Sequence, residues 1–414
     1  MQFQSQWLQA LQKRGYIHQI THPEALDEAA VAGGVIGYIG FDATADSLHV
    51  GSLVQIMLLR RLQQSGGKPI VVMGGGTTKV GDPSGKDASR KLLTPEEIAA
   101  NIASIQRVFA RFLRFGDGPS DALLIDNDTW LSGLGYVDFL RTYGPHFTIN
   151  RMLTFDSVRL RLEREQPLTF LEFNYMLMQA VDFLELHRRT GCILQMGGSD
   201  QWGNIVNGVE LIRRLDGKAA FGLTTPLLTT TSGGKMGKTE RGAVWLNADR
   251  LSPYEYWQFW RNTEDGDVGR FLRLFTEMPD EQIAHLEALE GAQINVAKVC
   301  LANEATAMLH GEEAAREAEA SAAAAFSGGI GDALPSFPLA TGELAGLRLA
   351  NALTRCALTA SNADAKRQIK AGAVLVNGHS ILDENAVLGR EDFPGGSAKL
   401  TLGKKRHALL CLEV

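Results

Sequence analysis

Apolar and polar positions follow two rhythms along this chain, and the switches between them outline its elements. VIGYIGF (35–41) is a short β-type run that leads into SLVQIMLLRRLQQ (52–64), where apolar residues recur at helical spacing. PIVVMGGG (69–76) is the next buried-strand candidate. Thr94, Pro95, Glu96 and Glu97 form a capping box with proline at the first helical position, which predicts a helix to about Phe115. ALLID (122–126) and CILQMGG (192–198) are further strands, the second followed by a helix through about Leu215. The N-terminal MQFQSQWLQALQKRGY lacks a basic-then-apolar signal pattern and predicts a short amphipathic helix. Such alternation predicts an α/β fold with a doubly wound, Rossmann-type parallel sheet and a ligand at the carboxyl ends of its strands.

After about Leu246 the rhythm becomes helical throughout, from SPYEYWQFWRN to the alanine-rich EEAAREAEASAAAAF. SGGIGDALPSFPLATGE (327–343), with four glycines and two prolines, reads as a linker. Beyond it LRLANALTRCAL and SNADAKRQIKAG predict helices, and AVLVNGHSIL and KLTLG predict short strands. The expected boundaries are therefore 1–246, an α-helical domain over 247–326, a linker over 327–343 and a small α+β unit over 344–414.

Composition narrows the class. With 414 residues, 45% apolar and 21% charged, the chain reads as a soluble protein of two or three domains. It has no run of eighteen apolar residues, which argues against a membrane-spanning helix. Cys192, Cys300, Cys356 and Cys411 lie far apart with no C-x-x-C pair, as expected of free thiols in a reducing cytoplasm. The net charge of −6 argues against sequence-blind nucleic-acid binding. From Thr341 onward, however, ten Lys/Arg face seven Asp/Glu, against 31 and 40 before it. A mildly basic tail on an acidic body suits an RNA contact at one end.

Three constellations carry chemistry. GFDATADSLHVGS (40–52) sits where a strand hands over to a helix, so backbone N–H groups and the helix dipole face any bound anion. Gly51 lets a nucleotide approach, and His49 and Thr44 can donate to phosphate; as a bare string it is a turn with Ser52 as N-cap. GGKMGKT (233–239) places Lys235 and Lys238 on a glycine-rich loop able to close over a triphosphate, or else is a solvated basic loop. In GGSDQWGN (197–204), Gly198 allows backbone access and Asp200 suits a ribose hydroxyl pair, while the bland reading is a helix cap.

Taken together, H-V-G-S resembles the H-I-G-H signature of class I aminoacyl-tRNA synthetases, and K-M-G-K-T resembles their K-M-S-K-S. With GDPSGK (81–86) and GGSDQWGN, the chain resembles the bacterial tyrosyl-tRNA synthetase family from about Trp7 to its C-terminus. The resemblance implies a ligase that joins L-tyrosine to tRNA-Tyr through a tyrosyl-adenylate, with ATP and Mg2+ as substrate and no permanently bound cofactor or metal. It implies that residues 1–246 are the catalytic domain, with a connective insertion and the mobile lysine loop. Thr44 and His49 would hold the γ-phosphate, and Lys86, Arg90, Lys235 and Lys238 would close over the phosphates. Gly198, Asp200 and Gln201 would grip ribose and adenylate, with Gly40, Asp42, Gly51, Ser52 and Thr239 completing the ATP set. Three departures stand out: Ser52 replaces the second signature histidine, Ile39 a cysteine near the ribose, and Gly237 a serine of the lysine loop.

Residues Tyr175, Gln179 and Asp182 fall at i, i+4 and i+7, on one face of an otherwise apolar helix. A buried polar stripe needs partners, which a ligand or an internal hydrogen-bond network can supply. By resemblance, Asp182 and Tyr38 bind the phenolic hydroxyl of tyrosine, Asp82, Tyr175 and Gln179 its ammonium group, and Asn127 belongs to the same set. An aspartate aimed at the hydroxyl explains rejection of phenylalanine, for which this family is itself the standard case.

SNADAKRQIKAGAVLVNGHSI (361–381) resembles the small RNA-binding domain of the ribosomal S-four type, with Lys366, Arg367 and Lys370 offered to phosphates; a solvated basic helix is the alternative. The resemblance further implies a helical domain near the anticodon, with Glu264 at an acidic tRNA-facing position. Arg213 and Arg214 would touch the acceptor stem, or form a helix-end charge pair. It also implies a cytoplasmic homodimer with no membrane partner. Rival readings are a tryptophanyl-tRNA synthetase, a synthetase-derived RNA-binding or splicing factor without catalysis, and a small-molecule nucleotidylyltransferase.

Overall fold

The structure, a computed structural model, describes residues 2–82, 92–234, 236–239, 242–326, 334–403 and 406–413. The chain divides into two compact units, Met1–Arg250 with Thr263–Ala297, and Leu251–Asn262 with Lys298–Val414.

The first unit is built on a six-stranded sheet. Its strands are β1 (Gln19–Ile20), β2 (Ile36–Phe41), β3 (Lys68–Met73), β4 (Leu123–Asp126), β5 (Leu194–Gly198) and β6 (Phe221–Thr225), in the order β1-β6-β5-β2-β3-β4. All neighbours are parallel except the two-residue edge β1, which runs antiparallel to β6, so the expected parallel sheet carries one antiparallel edge. The chain leaves β2 towards β3 and β4, then returns to the other side of β2 for β5 and β6. The order therefore reverses between β2 and β5, and their carboxyl ends open the crevice where such sheets take ligands. Strand β6 is missing from the sequence expectation because its run FGLTT looks like the polar stretch that follows it. Yet Thr224 and Thr225 are fully buried, and β-branched threonine suits a strand once its hydroxyl is bonded.

The helices form where local signals start and stop them. Helix α1 (Gln6–Arg14) ends at Gly15, which takes the left-handed conformation at φ 82°. Helix α2 (Val50–Gln64) is capped by His49, whose ring accepts from Gly51 N–H. The capping box on Thr94 and Glu97 opens α3 (Pro95–Phe112). This helix stops short of Phe115, because Arg114 N–H bonds the Gln63 side chain and Phe115 bridges Ala122 beside the sheet. Helices α4 (Tyr175–Thr190) and α5 (Trp202–Asp216) end at Gly191 and Gly217, both left-handed, and pack on each other over the sheet. Between sheet and helices lies a core of Tyr38, Ile70, Val72, Val181, Phe183, Leu184 and Ile212. Burying each large apolar side chain here contributes about 1.5–3 kcal/mol, before the entropy of ordering it is subtracted. Two short antiparallel strands, β7 (Lys238–Thr239) and β8 (Gly242–Ala243), follow in the lysine-loop region.

The second unit holds α6 (Pro253–Arg261), most of α7 (Ile294–His310), and α8 (Glu312–Phe326), with α6 packed on α8. It ends in a five-stranded mixed sheet of β9 (Ser336–Ala340), β10 (Val374–Val376), β11 (His379–Ser380), β12 (Ser397–Leu402) and β13 (Arg406–Glu413), in the order β11-β10-β12-β13-β9. Helices α9 (Leu349–Arg355) and α10 (Asn362–Lys370) share its apolar core. Asn377 and Gly378, both at positive φ (49° and 85°), make the tight β10–β11 turn. One correction concerns the expected linker: residues 336–340 form β9, parallel to β13. The two prolines of that segment hid it, and Pro338 is tolerated because β9 is an edge strand.

Candidate active site

A cavity of about 470 Å³ opens at the carboxyl ends of β2 and β5. It is lined by Tyr38, Gly40, Asp42, Thr44, His49, Gly51, Ser52, Asp82, Asn127, Tyr175, Gln179, Asp182, Gly198, Asp200 and Gln201. These residues span 164 positions of sequence, and the sheet gathers them by ending β2, β3, β4 and β5 on one side.

The inner part is buried and acidic. Asp182 is 4% exposed and Asn127 and Tyr38 are 1% exposed, so any polar atom there must find a partner inside. Asp182 accepts from Asn127 Nδ2 at 2.9 Å and from Trp130 Nε1 at 2.8 Å. Burial still raises its pKa to about 7; those two donors oppose the rise, and Asp42 and Asp126 add to it. Asn127 in turn accepts from Gly76 N–H at 2.8 Å, which fixes its amide orientation. The Tyr38 hydroxyl is buried with no hydrogen-bond partner among the described residues. Burial first and Asp182 second push its pKa well above the ordinary tyrosine value. Trp130 was absent from the sequence expectation. Its signal was a tryptophan four residues past a strand end in IDNDTW, and nothing local tells where that indole points. The Arg189 guanidinium covers its outer face, 5.2 Å from the ring centroid.

Around the mouth of this inner part runs a polar network. Tyr175 donates its hydroxyl to Asp42 at 3.1 Å, and Thr77 donates to the other oxygen at 2.9 Å. Tyr175 is held well above its ordinary pKa by burial, then by Asp42, Asp82 and Asp182. Three carboxylates thus project onto one hydroxyl, a field that favours a cationic ligand group. Gln201 donates to Asp82 at 2.9 Å, Gln179 to Gln201 at 3.3 Å, and Asn204 to Gln179 at 2.8 Å.

The outer part is built from one contiguous segment. His49 Nδ1 accepts from Gly51 N–H at 3.0 Å, so the cap itself orients the ring. A Cβ on Gly51 would lie 2.6 Å from that ring; the imidazole therefore requires this glycine independently of any nucleotide. A Cβ on Gly198 would lie 2.5 Å from an Asp200 carboxylate oxygen and would push that side chain aside, whereas Gly40 faces open space. Gly237 has φ +80° and packs against Gly51, where a Cβ would sit 3.0 Å from the amide nitrogen. Glycine in place of the family's serine thus suits a left-handed position in contact with the histidine motif. Ser52 and Ile39 also line the cavity.

Lys86, Arg90 and Lys235 lie outside the described residues, and Lys238 and Thr239 are described in their backbone only. Of the tRNA candidates in the first unit, Arg213, Arg214 and Glu264 do not line the cavity. Arg213 pairs with Glu210 at 3.0 Å, and Arg214 donates to His146 O at 3.0 Å and lies 3.5 Å from Glu210. Glu264 accepts from Ser232 at 2.6 Å. On α10, Arg367 pairs with Asp364 and Lys370 with Glu384, both at 3.0 Å, while Lys366 is half-buried. The α10 patch is therefore partly neutralised within its own unit. Among the described residues no group of three or more His, Cys, Asp or Glu could hold a metal ion.

A doubly wound sheet whose switch point holds a capped histidine motif and an acidic pocket defines a nucleotide-activating enzyme class, and comparison with known proteins resolves which. Residues 33–327 match the family described as tRNA synthetases class I (W and Y), and the chain belongs to that family. It is 67% identical over 410 residues to the tyrosine–tRNA ligase of Caulobacter sp. (strain K31), covering 99% of this chain and 98% of that one. It is 59% identical to the tyrosine–tRNA ligase of Zymomonas mobilis subsp. mobilis, covering 99% of each. Among solved structures, a C-terminally truncated mitochondrial tyrosyl-tRNA synthetase of Aspergillus nidulans superposes with a TM-score of 0.68 at 30% identity, covering 76% of this chain and 92% of that one.

Proposed function

We propose that the chain ligates L-tyrosine to tRNA-Tyr. It is a class I aminoacyl-tRNA synthetase that uses ATP to form tyrosyl-adenylate, releases pyrophosphate and passes the tyrosyl group to the 3′-terminal adenosine. The observation that carries this reading is that Asp182 and His49, 133 residues apart, line one cavity, the first deep and acidic and the second at a helix start. The tyrosine carboxylate is already ionised and attacks the α-phosphate in line, so no general base is needed. The protein's contribution is positioning and stabilisation of charge on the departing pyrophosphate.

On this reading Asp182 accepts the phenolic hydrogen and the unpartnered Tyr38 hydroxyl gains a partner from the same ligand oxygen. The carboxylate field around Tyr175, with Asp82 and Gln179, receives the ammonium group, and Asn127 holds Asp182. Gly40, Asp42, Gly51, Ser52, Gly198, Asp200, Gln201 and Thr239 contact the nucleotide. Thr44, His49, Lys86, Arg90, Lys235 and Lys238 meet its phosphates. Mg2+ arrives with ATP as part of the substrate. The C-terminal sheet, β9 included, and its helices are of the ribosomal S-four type and contact tRNA through Lys366, Arg367 and Lys370. Arg213 and Arg214 face the acceptor stem, and Glu264 the anticodon side.

The enzyme works in the cytoplasm as a homodimer. No helix among the described residues is long and apolar enough to cross a membrane. Nine of the fifteen exposed large apolar side chains among the described residues, including Tyr136, Val137, Ile149, Leu162 and Phe170, fall within 136–171, and a second copy is the partner proposed for them. Sedimentation of a Val137→Glu variant as a monomer tests this. The activity is tested by tyrosine-dependent ATP–pyrophosphate exchange across an amino-acid panel. Equal exchange with phenylalanine or tryptophan overturns it.

A further inference from the structure

We infer that Asn247, which does not line the cavity, is a positioning residue for adenylate formation, acting through His49; this rests on the activity proposed above. Residues 244–247, just past the lysine loop, run antiparallel to the histidine motif. Val50 N–H donates to Val244 O at 2.9 Å, and Leu246 N–H to Leu48 O at 2.9 Å. Those two bonds bracket His49, which faces Trp245 across the bridge with ring centroids 6.4 Å apart.

Beside those backbone bonds, one side chain anchors the end of the strap. Asn247 is 6% exposed, its Oδ1 accepts from Ser47 Oγ at 2.7 Å, and its own N–H donates to the same Oγ at 3.1 Å. Its Nδ2 reaches α3, donating to Ser104 Oγ at 3.1 Å and to Ser104 O at 3.3 Å. Ser47 is itself 3% exposed, so both partners are shielded from water that could replace the bond. Asn247 thus ties three segments together: the approach to His49, the helix behind it, and the stem leading back to Gly237. The cap sets the ring on its backbone, and the tie sets where that backbone stands; small displacements of an electrostatic donor are costly in the transition state.

The test is tyrosine-dependent ATP–pyrophosphate exchange by Asn247→Ala, Ser47→Ala and each combined with His49→Ala. Asn247→Ala is expected to lower kcat roughly tenfold while the KM for tyrosine stays within about twofold. In the His49→Ala background it should cause no further loss, because the group it positions is gone. Ser47→Ala, which deletes one hydroxyl, should reproduce the pattern even if Asn247→Ala folds poorly. The inference is overturned if kcat is unchanged, if the loss repeats in full on His49→Ala, or if tyrosine KM rises in step with a lowered melting temperature. Absence of exchange by the unmodified chain would overturn the activity instead.

Discussion

The inner and outer parts of the cavity are made in opposite ways. Tyr38, Asn127, Trp130 and Asp182 come from three stretches of chain and are buried, and Asn127 and Trp130 both donate to Asp182. Gly40, Asp42, Thr44, His49, Gly51 and Ser52 come from one stretch, and their geometry is set largely by a strand end and a helix cap. The difference teaches where each kind of chemistry can be stored. Recognition of a phosphate needs donors at a rim, which a short motif supplies locally. Discrimination of one hydroxyl needs a dry pocket in which an unmet group is costly, and only packing supplies that.

The sharpest way to break the comparison is Asp182→Ala. It leaves the ligand hydroxyl and the Asn127 and Trp130 donors without an acceptor. We expect kcat/KM for tyrosine to fall roughly a thousandfold, about 4 kcal/mol, and that for phenylalanine by less than about tenfold. Equal losses for the two amino acids would show that this carboxylate does not read the hydroxyl. At the outer part, Thr44→Ala and His49→Ala should each lower kcat for exchange roughly a hundredfold with tyrosine KM unchanged. A matching rise in tyrosine KM would erase the division between the two parts.

A smaller effect comes with pH. Asp182 has a pKa of about 7, above the ordinary carboxylate value of 3.8, so the folded protein binds an extra proton between those values. Stability from this group is present below about pH 4 and is lost as the pH rises towards 7. Tyrosine binding runs the other way, since the carboxylate is the acceptor. The KM for tyrosine should fall roughly tenfold from pH 6 to pH 8, and Asp182→Asn should flatten the profile. Smallest is Trp130→Phe, which removes one donor and keeps the ring. It should change kcat/KM for tyrosine roughly five- to tenfold, and an unchanged pH profile would remove Trp130 from the set that tunes Asp182.

Most of the catalytic unit was legible because its signals are local. The Thr94 capping box, the run VIGYIGF and the i, i+4, i+7 polar stripe each fix a short stretch without help from distant residues. What escaped was made by pairing. β6 and β9 are strands because β5 and β13 lie beside them, and their threonines and prolines conceal the fact. Trp130 and Asn247 escaped for the same reason, since an indole or amide is informative only once its acceptor is known.

By itself the sequence determined the strand–helix alternation through β5, the capped helix starts, and the two nucleotide motifs with their spacing. Covalent neighbours and periodicity suffice for these, because the interactions reach only a turn or a few residues. The tertiary structure alone decided that Asp182 is buried beside Asn127 and Trp130 with its pKa lifted to about 7, and that the Tyr38 hydroxyl has no partner among the described residues. Burial and electrostatic coupling are properties of groups brought together from far apart, and no single stretch of chain contains them.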